Sequence, residues 1–144
     1  MKILEYLKRK QFEHRLSTVD GHERAEMLRD KFYYLGKNVE LYTTDIGNEP
    51  YLISIHDNVI VAGNVKFINH DYSVANIARY LEKPIGYVDK VGSIELFDNC
   101  FIGTEAMLLP NTSVGKNSIV AAGAVVTKHI PSEEVWGGYR LTSL

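Results

Sequence analysis

With 144 residues, 45% of them hydrophobic and 24% charged, the chain can build one buried core but not two, and its composition excludes a disordered polymer. A formal net charge of −2 gives no general attraction to nucleic acid or to an anionic membrane, and no apolar run is long enough to span a bilayer. The opening MKILEYLKRKQFEHR carries charges among its apolar residues and does not read as a signal peptide. The single cysteine, Cys100, cannot close an internal disulfide. A single domain over 1–144 in the reducing cytoplasm is the expectation.

Residues 1–34 read as helical. Ile3, Leu4 and Leu7 share one helical face, and the stretch from Ser17 to Asp20 reads as a break. Asp20 with Glu23 three residues on forms a capping-box pattern, in which side chains satisfy the orphan backbone N–H groups of a helix start. Ala25, Leu28 and Phe32 follow on one stripe. Gly36 is expected to end the segment at a positive φ. The whole reads as a packing element covering one end of the domain.

From Leu35 the period changes to six. Leu35 and Leu41 begin it, Ile55, Val61 and Phe67 form a second register, and Leu96, Ile102, Leu108, Val114, Val120 and Val126 form a third. Neither a helix nor a simple alternating strand returns an apolar residue every sixth position, whereas stacked β-helix coils do. Four residues after these anchors come side chains that are often small: Val59, Val65, Cys100, Ala106, Thr112, Ser118 and Ala124. They fit a second inward position where bulk would overpack the interior. Directly after anchors come Gly36, Gly103 and Gly115, with Ala62 and Ala121 as near substitutes, which we read as tight corners. Coils are therefore expected over 35–71 and 94–131. Residues 72–93 hold Pro84 and Gly86 and have no hexad phase, so they should leave the coil as an external loop, with 132–144 as a tail.

The run NCFIGTEAMLLPNTSVGKNSIVAAGAVVTKHIP closely resembles the hexapeptide acyltransferases that include galactoside, maltose, serine and xenobiotic acetyltransferases. The earlier GNEPYLISIHDNVIVAGNVKFINHD is similar to sugar O-acetyltransferases of polysaccharide biosynthesis. The resemblance implies a mainly β fold: a left-handed parallel β-helix with an N-terminal helical segment and one extended loop. It also implies a homotrimer with active sites in the subunit clefts, acetyl-CoA as co-substrate and a sugar acceptor. Three departures stand out. Asn111 and His56 occupy positions that usually hold glycine, both being side chains that tolerate positive φ. The tail WGGYRLTSL replaces the usual glycine-asparagine-proline-alanine ending.

Acetyl transfer needs a base for the acceptor's proton and a donor for the developing oxyanion. The resemblance assigns the base to His70, histidine being the residue type most suited to moving a proton near neutral pH, and Asp71 either orients it or binds the acceptor. The positions matching the family's coenzyme contacts are Thr104, Ala122, Thr127 and Lys128, and Glu49 and Tyr51, flanking Pro50, are expected on the acceptor side. His14 and His22 fall in the helical region and His129 near a terminal turn. No histidines show metal-ligand spacing, so no metal is expected. Cys100 reads as a core filler. The other readings of the chain are N-acetylation of an amino sugar or small xenobiotic, a γ-carbonic-anhydrase-like metalloenzyme, and a scaffold on the same fold.

Overall fold

The computed structural model describes residues 2–83, 90–138 and 142–143. Two helices open the chain, α1 (Lys2–Thr18) and α2 (Gly21–Leu28). The chain then winds in short parallel strands. The first turn supplies β1 (Tyr34–Leu35) and β2 (Glu40–Leu41), and the second β3 (Ile53–Ile55), β4 (Ile60–Val61) and β5 (Lys66–Phe67). An excursion follows with β6 (His70–Asp71), α3 (Ser73–Tyr80) and β7 (Lys90–Val91). The third turn gives β8 (Ile94–Leu96), β9 (Phe101–Ile102) and β10 (Met107–Leu108), and the fourth β11 (Thr112–Val114), β12 (Ile119–Val120) and β13 (Val125–Val126). Last come β14 (Val135–Gly137) and β15 (Thr142–Ser143), which folds back antiparallel on β14.

Apart from β6 and β7, which pair with each other, these strands form three sheets; the second, third and fourth turns visit all three in the same order, and the first turn visits only the first two. The first sheet is β1-β3-β8-β11, the second β2-β4-β9-β12-β14 closed by β15, and the third β5-β10-β13. Registers match anchor to anchor: Ile55 pairs with Leu96, Val61 with Ile102 and then Val120, and Phe67 with Leu108 and then Val126. All of these anchors are buried, as are the small residues four positions on, from Val59 to Ala124. Each anchor removed from water contributes about 1.5–3 kcal/mol.

The turns are made differently from the expectation. Positive φ falls three residues after the anchor, at Asn38, Asn58, Asn64, Asn99, Glu105, Asn111, Asn117 and Gly123. Asparagine dominates because its short amide tolerates the left-handed region, and Asn111 adopts it with φ 61°. Neither His56 nor Gly36 has a positive φ. The glycines after anchors serve close packing instead. A Cβ on Gly36 would lie 2.4 Å from Asp57 Oδ1, and one on Gly103 2.5 Å from the Ala122 backbone nitrogen.

The two helices also part company. Ala25, Leu28 and Phe32 are buried as the stripe predicts, and α2 packs on β2. Helix α1 buries none of its residues, and Ile3, Leu4 and Leu7 are exposed, so α2 and not α1 covers the coil end. Buried Arg24 ties the pieces together. It donates to the carbonyls of Leu16 (2.7 Å), Val19 (2.7 Å) and Leu41 (2.8 Å), satisfying acceptors at the end of α1 and on the first coil. At the other end the coil runs past residue 131. Ile130 bridges to Val114, and Trp136 pairs with Val120 as one further anchor. No helix among the described residues is long and apolar enough to cross a membrane.

Gly103 and Gly63 provide an internal contrast, because a Cβ at Gly63 meets nothing within 4 Å. Gly103→Ala should cost about 1–3 kcal/mol by forcing two coils apart. Gly63→Ala should be neutral or gain about 0.4–1 kcal/mol by restricting the unfolded chain. Denaturant melts of the two variants check both values.

Candidate active site

His70 stands where the chain leaves the third sheet, three residues after the anchor Phe67. Its strand β6 pairs antiparallel with the returning β7, His70 opposite Val91 and Asp71 opposite Lys90, so the excursion is pinched at its base. Gly92 completes the clamp. Its N–H donates to the Asn69 carbonyl at 2.8 Å, its carbonyl accepts from Asn69 Nδ2 at 3.1 Å, and an added Cβ would strike the Asn111 side chain at 2.4 Å.

The imidazole is about four-fifths buried and meets Glu49, with Nδ1 2.8 Å from Oε2. An ionised carboxylate can only accept, so Nδ1 carries the proton and Nε2 keeps a lone pair. Tyr72 meets the His70 ring edge-on, at 5.2 Å between centroids. A cleft of about 300 Å³ opens here, with Asp45, Gly47, Glu49, Phe67, Asn69 and His70 among its walls.

Glu49, expected on the acceptor side, is thus His70's partner, and Asp71 is not. Asp71 accepts from the Ser73 backbone N–H at 2.8 Å and from Ser73 Oγ at 2.9 Å, which anchors the start of α3. Those bonds, the backbone one first, hold its carboxyl below the usual carboxylate range. Tyr51 is exposed and lines a different cleft with Tyr33 and Glu95 on the first sheet. One signal could have singled out the Glu49 segment: the interval from Leu41 to Ile55 exceeds two hexads by two residues. That surplus is a loop in place of a third-sheet strand in the first turn. It is fixed by Thr43 Oγ1 donating to the Val65 carbonyl (3.0 Å) and by Gly47, at φ 72°, lying against the Phe67 carbonyl.

Thr104, Ala122, Thr127 and Lys128 are all exposed and flank the same third sheet. Thr104 and Ala122 stack at one corner, where the Thr104 carbonyl accepts from the Gly123 N–H at 2.8 Å. Thr127 and Lys128 form the next corner. Lys128 Nζ lies 4.6 Å from the centroid of the Trp136 ring, a cation–π contact that the sequence did not suggest.

His56 and His129 lie apart from His70. His56 Nε2 donates to Glu95 Oε1 at 3.0 Å and stacks on Phe97, while His129 Nδ1 meets Ser113 Oγ at 2.7 Å. Among the described residues no three His, Cys, Asp or Glu side chains converge as a metal site would require.

Residues 93–128 match the family model described as bacterial transferase hexapeptide (six repeats). The chain thus contains a hexapeptide-repeat transferase domain. It is 38% identical over 92 residues to Protein CapG of Staphylococcus aureus, covering 64% of this chain and 51% of that protein. It is 26% identical over 113 residues to galactoside O-acetyltransferase of Escherichia coli (strain K12), covering 74% and 53%. The chain thus spans about half the length of these two curated relatives. Among solved structures it superposes on the hexapeptide-repeat acetyltransferase VCA0836 from Vibrio cholerae O1 biovar eltor, which was determined with acetyl coenzyme A. The TM-score is 0.67 with 20% identity, over 94% of this chain and 82% of that one. At that identity the likeness is one of fold.

Cys100 takes no part in this hexapeptide-repeat site. Burial pushes its thiol up to about 12, far from the thiolate form that reacts. A colorimetric thiol reagent at pH 8 should therefore find no reactive cysteine in the native protein and one per chain in denaturant.

Proposed function

We propose that the protein is an acetyl-CoA-dependent acetyltransferase that transfers the acetyl group to a hydroxyl of a sugar or polysaccharide precursor, with His70 as general base. The observation that carries this reading is the His70–Glu49 pair on the wall of a cleft: with Nδ1 given to the carboxylate, Nε2 is the nitrogen left to act as base in the neutral ring. The names of relatives and structural neighbours, galactoside O-acetyltransferase and an acetyltransferase determined with acetyl coenzyme A, support it.

When bound, acetyl-CoA would supply an activated acyl carbon as its thioester. Lys128 would meet a phosphate as a point charge, Thr104 and Thr127 offer hydroxyls, and Ala122 leaves room for close approach to the backbone. His70 Nε2 would take the proton of the attacking hydroxyl as the acyl carbon passes from sulfur to oxygen, and would then give it up to the thiolate released. The Glu49 carboxylate keeps Nδ1 protonated and stabilises the imidazolium that forms, as a carboxylate does beside histidine in hydrolase triads. Asp71 acts at a distance by fixing Ser73 at the start of α3, next to Tyr72, whose ring meets the imidazole.

His70→Asn nearly preserves shape while losing the base, and should cut turnover by about 10² to 10⁴-fold with little change in acetyl-CoA affinity. Glu49→Gln leaves His70 without its charged partner and should cost about 10²-fold or more. Steady-state kinetics on an acceptor that the wild type uses well checks both. Near-normal turnover by His70→Asn would end the assignment.

The proposal extends to assembly. Ile60, Phe101, Ile119 and Val135 line up in register along the outer face of the second sheet, and the last three are 38–43% exposed. A flat apolar row of this kind suits burial against a second copy. We read the protein as a homotrimer of left-handed coils, each chain a single domain, that uses this face. Light scattering should give three times the chain mass for the wild type and a smaller particle for Phe101→Asp. A wild-type monomer retaining activity would defeat this part of the reading.

A further inference from the structure

We propose that the acceptor served by His70 is uncharged or cationic, and that phosphorylated and nucleotide-linked sugars are disfavoured by charge. This inference rests on the acetyltransferase reading above and adds the class of acceptor to it. The cleft beside the imidazole does not stop at His70. Asp45 bounds it, and Asp45 also bounds a second cleft of about 470 Å³ whose walls include Lys66, Asn64, Glu105 and Met107 on the outer side of the third sheet. The two clefts share the Asp45 wall and are taken together as the acceptor trough, whose described lining carries three carboxylates, on Asp45, Glu49 and Glu105, against the single ammonium of Lys66.

A second observation points the same way. Asn69 is 2% exposed and lines the His70 cleft, yet its Oδ1 has no hydrogen-bond partner among the described residues. The orientation of the amide follows from its neighbour. Nδ2 donates to the Gly92 carbonyl at 3.1 Å, and turning the group over would set two oxygens face to face. Beside that oxygen stands Gly47, where an added Cβ would lie 3.2 Å from Oδ1, so its flank carries no side chain. A buried acceptor without a donor is costly, and a bound hydroxyl or ammonium would satisfy it.

The trough therefore offers acceptors and negative charge to its ligand. Sugar hydroxyls can donate to carboxylates and to an amide oxygen, and an ammonium donates with charge complementarity as well. The added phosphate group of an esterified sugar brings acceptors and like charge, which would face Asp45 and Glu105 with only Lys66 to offset them.

The test is acetyl transfer to a panel of hexoses and hexosamines, each ranked against its matched 1-phosphate and its UDP-linked form. For the wild type, kcat/KM should be about tenfold or more higher for the free sugar or amino sugar than for its phosphorylated counterparts. The double variant Asp45→Asn, Glu105→Gln should narrow that ratio by raising the use of phosphorylated acceptors, with the KM for acetyl-CoA unchanged. Equal or better use of the phosphates by the wild type, or a ratio the double variant leaves unmoved, overturns the proposal while leaving the acetyltransferase reading in place. Absence of acetyl-CoA binding by calorimetry would instead remove the reading beneath it.

Discussion

The side chain of each anchor lies on the equivalent anchor one turn away, and every other feature of the molecule depends on that stacking. Ile102 lies between Val61 and Val120 in register, and Leu108 between Phe67 and Val126. The stacking holds only if each corner turns by the same amount, which is why a left-handed residue recurs three positions after the anchor. Asparagines at these corners also bond to one another along the stack, Asn38 to Asn58 at 3.0 Å and Asn99 to Asn117 at 3.1 Å. Uniform corners bring residues one turn apart in sequence into contact. This is how Thr104 comes to touch the turn that carries Ala122.

The candidate site arises where this regularity fails twice on one side. The first turn has no strand in the third sheet and sends a loop across it. The second turn leaves the coil after Phe67, which ends its strand in that sheet, and the chain rejoins the coil only at Gly92, just before β8. Glu49 belongs to the first departure and His70 to the second, and they meet at 2.8 Å. Each is held from below by the regular part, through Thr43 on Val65 and Asn69 on Gly92. A histidine on an unbroken strand would point either into the packed interior or out to open solvent. Leaving the coil provides a third option, a largely buried imidazole bonded to a carboxylate.

The regular part of the fold was legible in the sequence for a physical reason. A period of six is imposed by stacking, and stacking acts on every anchor from Ile55 to Val126, so the signal repeats. The corners were misread because glycine after the anchor suggests conformational freedom, whereas Gly36 and Gly103 are needed for close approach between coils. His70 was singled out through a motif, but the pairing of Glu49 with it was not. The residue adjacent in sequence, Asp71, faces Ser73, while Glu49 arrives from 21 positions away along a loop with no period to announce it. Trp136 was missed because the interval before Ile130 breaks the hexad, which made the tail look unrelated to the coil.

A stack of coils has two open ends, and each must be covered by something that cannot itself be stacked upon. At the first end this is α2, whose Ala25 and Leu28 close the core while Arg24 supplies donors to carbonyls that lack a further strand. At the other end it is Trp136, packed on the last anchors, with its indole N–H donating to Glu134 and Lys128 over its ring. An ammonium at that point keeps its hydration on one side while its stem and the ring shield apolar surface beneath. The corner holding Lys128 is therefore the corner that finishes the core. Its charge is placed by the cap, beside Thr127 and at the edge of the sheet that also carries the way to His70. The unfamiliar tail and the familiar threonine-lysine pair are in this sense one element: the tail's tryptophan fixes where the lysine's charge stands.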